Sequence, residues 1–428
     1  MRPRRAEMRI WIGFLVAIAI IGTACTADPF PAEPETPALT VFGPWRGAAA
    51  DQFREAIEPF EQRTGLDVQY TGSGSFAPDI VDRVGDGDPP DVAIFPQPGL
   101  MNELAQRGSV LPLPSDIAEL AQSTYLPNVS EFVRAHGRFD GVLYRLNVKS
   151  LVWYPPAVFA AQDYQIPETW GDLERLADRM VDDGFAPWCF GVEAFEASGW
   201  PATDWIEDIV LRFEGTETYD SWVRGETPFT ADAISNAFQV FGAMTLSPNR
   251  TGGGRSGVLN TAATSAQDPM FDDPPECLMH RQATFQIENL PPGVTVGADS
   301  DTDVFILPGV DSSAATPLLV GGTAAAALTD REETWELMRY LATPEAGDAW
   351  AEAGGFISPH TGYGPDKYGN DFDAQAAEFL STANVVRFDG SDLMDPSVGE
   401  RSFLDAMLLY IGTLELDEAL LLAQSGYD

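Results

Sequence analysis

Several residues in this chain stand where their chemistry is idle unless a ligand uses it. Trp45 and Arg46 sit in the loop Gly43-Pro44-Trp45-Arg46-Gly47, Ser73 and Ser75 alternate with glycines, and Gln97 is held between Pro96 and Pro98. Trp200 and Asp204 belong to the run Trp200-Pro201-Ala202-Thr203-Asp204-Trp205, while Gly321 and Gly322 let another group approach the backbone closely. Phe356 follows the pair Gly354-Gly355, and Lys149 is one of only two lysines, the other being Lys367. Indole and phenyl faces stack on C–H surfaces, and amide, hydroxyl, guanidinium and carboxylate groups read the direction of hydroxyls. Such materials suit a neutral, hydroxyl-rich ligand, a sugar above all. Each residue also has a purely structural reading. Trp45 covers its own part of the fold, Ser73 and Ser75 form a mobile loop, Lys149 makes a structural salt bridge, and Asp204 caps a helix.

Other chemistries find less support. The three histidines are scattered, so a metal site lacks ligands, and no cofactor is expected. Gly252-Gly253-Gly254 is followed by no Lys-Ser/Thr pair, which rules out a phosphate loop. The net charge of −40 repels nucleic acid and anionic headgroups. It leaves open a cationic ligand such as a polyamine, yet the loops named above offer Trp, Ser, Gln and Arg rather than clustered acids. A glycoside hydrolase needs a set pair of carboxyls, and 65 acidic residues single out none.

The chain begins with Arg2, Arg4, Arg5 and Arg9, then an apolar run from Ile10 to Ile21, then small residues before Cys25. That run is too short to span a bilayer as a helix and reads as an export signal. It resembles a bacterial lipoprotein signal, departing at Gly22, where such signals usually carry an aliphatic residue. The resemblance implies a signal over 1–24, lipidation at Cys25 and attachment to the cell membrane. Residues 25–38, rich in Pro and acid, read as a tether. In an extracytoplasmic setting the two further cysteines, Cys189 and Cys277, are expected to form a disulfide.

The elements that must position these residues alternate. Leu39–Phe42, Leu66–Tyr70 and Asp91–Phe95 read as strands, and Phe53, Ile57 and Phe60 recur at helical spacing. The pattern predicts an α/β fold, with ligands at the carboxyl ends of strands. Thr203 or Asp204 is expected to cap a helix, and Asp330 with Glu333 to form a capping box. Asn147–Tyr154 reads as an extended, β-rich stretch, and Gly354-Gly355 as the end of a helix.

In this order, Val41–Arg46, Phe60–Gly65 before Val68-Gln69-Tyr70, Pro90-Asp91-Val92, and Leu104–Gly108 before Leu111-Pro112-Leu113 resemble extracellular solute-binding proteins of carbohydrate ABC importers. Gly199–Asp208 and Cys277–Ala283 are similar to alpha-glucoside-binding members of that family. The resemblance implies a two-lobed, periplasmic-binding-protein-like fold (type II, maltose-binding-protein-like) with hinge crossings at Asn147–Tyr154, Pro317–Leu328 and Gly354-Gly355. One lobe comprises 39–148 plus 320–352, and the other 149–319 plus 353–428. It further implies a monomer without catalysis that delivers a sugar, an alpha-glucoside or related oligosaccharide, to permease subunits served by a separate ATPase. Thr323 stands where family members often carry Asp.

Overall fold

The computed structural model describes residues 38–427, apart from 128, 130, 131, 133, 136, 137 and 313–315. The expected signal, Cys25 and the tether up to residue 37 lie outside the described residues. No helix among the described residues is long and apolar enough to cross a membrane.

Three short strands open the fold: β1 (Leu39–Gly43), β2 (Val68–Gly72) and β3 (Val92–Phe95). β1 lies parallel to both β2 and β3, so the loops after them leave one end of the sheet. Between β1 and β2 the helix Ala48–Thr64 buries Phe53, Ile57 and Phe60, the face its spacing predicts. Gly65 ends it at φ 75, where its N–H reaches the Glu61 carbonyl. β4 (Arg134–Ala135) and β5 (Arg138–Phe139) form a small separate ribbon. The first sheet is completed by β6 (Val142–Val148), β11 (Leu318–Ala327) and β12 (Val386–Phe388). β11 runs antiparallel to β3 and β6 and parallel to β12. The second sheet has the order β10 (Asp303–Ile306), β7 (Leu151–Tyr154), β9 (Cys277–Arg281), β8 (Ala186–Trp188).

Each sheet has its own hydrophobic core. One gathers Phe53, Phe95, Leu146 and Trp350; the other gathers Trp188, Trp205, Trp222 and Phe403. The chain passes between the sheets at three places. β6 ends at Val148 and β7 begins at Leu151; β10 leads into β11; and β12 hands over to the short helix Gly390–Leu393. The third passage therefore differs from the expected one at Gly354-Gly355. Phe356, Ile357, Tyr368, Phe372 and Leu380 bury against the first core, as do Val386 and Phe388 of β12. The glycine pair ends a helix rather than a lobe: Gly354 accepts no further helical geometry at φ 102.

Two expected caps are replaced. The helix Trp200–Phe213 starts at Trp200 with Gly199 as its N-cap, which places Thr203 and Asp204 inside it. The helix Glu332–Leu341 has Arg331 at its N-cap without a side-chain cap, because Asp330 accepts the Trp335 indole N–H at 2.7 Å. The disulfide is present: Cys189 and Cys277 join across 88 residues, tying β9 to the chain just beyond β8.

Candidate functional site

β6 is apolar except at every second residue towards its end. Arg145, Asn147 and Lys149 follow a period of two, so they share one face. Each is held by a group from elsewhere in the fold. Arg145 Nη2 meets Glu288 Oε1 at 2.6 Å, Asn147 Oδ1 accepts from Thr284 Oγ1 at 3.4 Å, and Lys149 Nζ lies 3.2 Å from Asp204 Oδ1. Lys149 also donates to Asp389 and stands 3.9 Å from Asp392. Beside this row β11 presents Gly321 and Thr323, opposite Asn147 and Arg145 in register. A Cβ at Gly321 would sit 2.7 Å from Lys149 Cε, so the bare glycine leaves room for the lysine chain where it now lies. The Thr323 hydroxyl is buried without a partner, and so is Gln97 Oε1 at the exit of β3. Phe95 pairs with Ala324, which brings that exit beside Thr323.

Beside Lys149, at the end of the row, stands the half-buried ring of Trp200, and the half-buried Phe285 ring lies against it with centroids 5.9 Å apart. The Lys149 ammonium lies 5.8 Å from the Trp200 centroid, within cation–π range. Trp200 is placed by the tight approach of Gly199, where a Cβ would meet the Leu404 carbonyl oxygen at 2.8 Å.

Behind Lys149 the charges continue inward. Asp204 Oδ2 takes Arg281 at 2.9 Å, and Arg281 reaches Asp208 at 2.5 Å. Asp208 also binds Arg212 and accepts the Ser150 hydroxyl at 2.6 Å. Burial alone would lower the Lys149 pKa, but Asp204, Asp389, Asp392 and Glu207 hold it well above the usual lysine value. Asp389 is opposed by burial yet brought down to about 2 by the lysine charge and hydrogen bond. At Asp204 burial outweighs Lys149 and Arg281 and lifts the carboxyl to about 6. Burial and the neighbouring Asp389 charge push Glu207 and Asp392 well above the ordinary carboxyl range. Five acids, Asp204, Glu207, Asp208, Asp389 and Asp392, thus surround three cations, Lys149, Arg212 and Arg281. Among the described residues no cluster of His, Cys, Asp and Glu could hold a metal ion.

The residues singled out from sequence fall into three sets. Lys149, Trp200, Asp204 and Gly321 come together, with Gly322 and Gln97 adjoining. Asp204 has both oxygens engaged by protein cations, so its role as a free hydroxyl acceptor is replaced by an ionic one. Arg46, Ser73 and Ser75 gather at the far rim of the first sheet. The Arg46 guanidinium crowds Gly74, and the Ser73 hydroxyl donates to Asp79. Ser75 is exposed at the start of the helix Phe76–Gly85. Trp45 and Phe356 are corrected to core residues. Trp45 is 8 % exposed and packs on Trp350 at 4.9 Å and Phe53 at 5.2 Å; Phe356 is 2 % exposed and meets Tyr144 at 5.4 Å. Tyr70 pins Trp45 there, accepting its N–H at 2.8 Å and donating to its carbonyl at 3.1 Å.

Arg145, Asn147, Thr284, Phe285, Asp389 and Asp392 were not singled out. The period-two polar row of β6 was a readable signal. Nothing local marks Phe285, because its partner Trp200 lies far away in the chain.

A protein-family model described as bacterial extracellular solute-binding protein matches residues 46–348. The osmoprotective compounds-binding protein GgtB of Synechocystis sp. is 36% identical over 403 residues, covering 93% of this chain and 94% of that protein. The alpha-glucosides-binding periplasmic protein AglE of Rhizobium meliloti is 36% identical over 384 residues, covering 87% and 83%. Among solved structures, maltose-bound MalE3 of T. maritima superposes with a TM-score of 0.68 at 16% identity, covering 91% of this chain and 99% of that one. That last likeness concerns the fold alone.

Proposed function

The chain belongs to the bacterial extracellular solute-binding proteins, as a non-enzymatic sugar- or oligosaccharide-binding component of an ABC transporter, and from that premise we propose that its ligand is an alpha-glucoside or a closely related small oligosaccharide. The observation that carries this reading is the pair Trp200 and Phe285 beside Lys149, at the end of a polar row whose neighbours Thr323 and Gln97 keep unpartnered polar atoms. A pyranose offers C–H faces to such rings and hydroxyls to such atoms. The name of the relative AglE supports the alpha-glucoside class. The cationic reading loses ground because Lys149 and Arg281 already engage both oxygens of Asp204.

In this reading a first lobe forms around the first core, a second around the other, and the three passages between sheets act as hinges. The closed protein hands its sugar to permease subunits powered by a separate ATPase. It works as a monomer held to the membrane through lipid on Cys25.

The test is calorimetric titration with maltose, trehalose and sucrose, with putrescine as the cationic control. Saturable heat with at least one glucoside and none with putrescine is the expected result. Binding of putrescine alone would replace the sugar reading with the cationic one.

A further inference from the structure

One face of the helix Trp200–Phe213 carries Trp200, Asp204, Glu207, Asp208 and Arg212, spaced so that they line up along its length. This stripe touches all three passages between the sheets. Asp204 and Asp208 hold Lys149 and Ser150 in the first. Arg212 donates to the carbonyls of Leu307 at 2.8 Å, Pro308 at 3.0 Å and Pro317 at 3.0 Å in the second. Glu207 accepts the N–H groups of Gly390 at 2.6 Å and Ser391 at 3.1 Å in the third. At the head of the stripe stands Trp200, and beneath it Lys149. An ammonium has three protons to give. Asp389 and Asp204 take hydrogen bonds from it, Asp392 stands 3.9 Å away, and the indole covers it at 5.8 Å.

We propose that Lys149 is a positioning residue for sugar recognition: committed to Asp204 and Asp389, it fixes the ring of Trp200 and acts on the ligand only through that ring. The inference rests on the sugar reading above. It gives a geometric role to a costly group, since breaking a buried ion pair by removing one partner strands the other charge. It also explains Gly321, whose missing side chain gives the lysine its path.

The test uses the whole chain and a double-mutant cycle of Lys149→Met with Trp200→Leu, titrated with maltose. Each single change is expected to weaken binding about tenfold, and the double variant no further, because both remove one placed ring. In the ligand-free protein, the Trp200 fluorescence contribution (wild type minus Trp200→Phe) should shift in Lys149→Met and return in Lys149→Arg. Lys149→Met/Asp389→Asn removes one charge of each sign and serves if the single variant does not fold. Losses that add in the cycle, or an unmoved Trp200 signal in a folded variant, overturn the proposal. Failure of the wild type to bind maltose, trehalose or sucrose overturns the alpha-glucoside reading instead, and the ligand-free fluorescence still reports whether Lys149 places the ring.

Discussion

Two tryptophans separate stability from recognition at the scale of single residues. Trp45 fills a cluster with Phe53, Tyr70, Tyr144 and Trp350, whereas Trp200 is half-buried beside the Lys149 ammonium and the Phe285 ring. Removing a packed indole leaves a cavity that the surrounding rings cannot close. Trp45→Ala is expected to lose about 3–5 kcal/mol of stability, read as a lower midpoint in urea. Trp200→Ala should keep most of that stability while weakening sugar binding. Equal loss of stability in both variants would show that Trp200, too, is a packing residue. The loop around Trp45, rich in Gly and Pro, reads as an exposed turn in sequence. Its burial became visible only when Tyr70 and Trp350 came into place.

Elements rather than residues govern how the fold responds to acid. The helix Pro98–Gln106 carries Glu103, and the single turn Val398–Ser402 carries Glu400, whose Oε1 is buried without a hydrogen-bond partner. Burial, then the Glu103 charge, lifts Glu400 to about 7, against some help from Arg401. The folded chain therefore keeps a proton that the unfolded chain releases near 4.5, so stability falls as pH rises from about 4.5 to about 7. Glu400→Gln should flatten this fall and add about 1–3 kcal/mol at pH 8, measured as Tm against pH. An unchanged slope would place the acid response elsewhere. The disulfide acts at the same scale: closing 88 residues stabilises by about 4–5 kcal/mol in the chain-entropy view.

The whole molecule combines two cores with three passages, and its motion follows from that plan. A sugar gripped from both sides favours the conformation that buries it, by mass action. Small-angle scattering should show the radius of gyration, about 21 Å for a compact chain of this size, fall when a bound glucoside is added. No change at saturation would mean that the junction is already closed without ligand. The net charge of −40 leaves this surface self-repelling and wards off polyanions, but it does not bear on the fold.

Local signals were enough for the elements. The spacing of Phe53, Ile57 and Phe60 marked a helix, the β-rich runs marked strands, and Cys189 with Cys277 marked a bridge, because periodicity and compartment act within short windows or on composition. Where side chains point depends on partners brought from afar. Lys149 meets Asp389 across 240 residues, and Trp45 meets Trp350 across most of the chain. No window of sequence contains both members of such a pair. Only tertiary packing could decide that Trp45 and Phe356 belong to the core, that Asp204 is bound by protein cations, and that Phe285 joins Trp200.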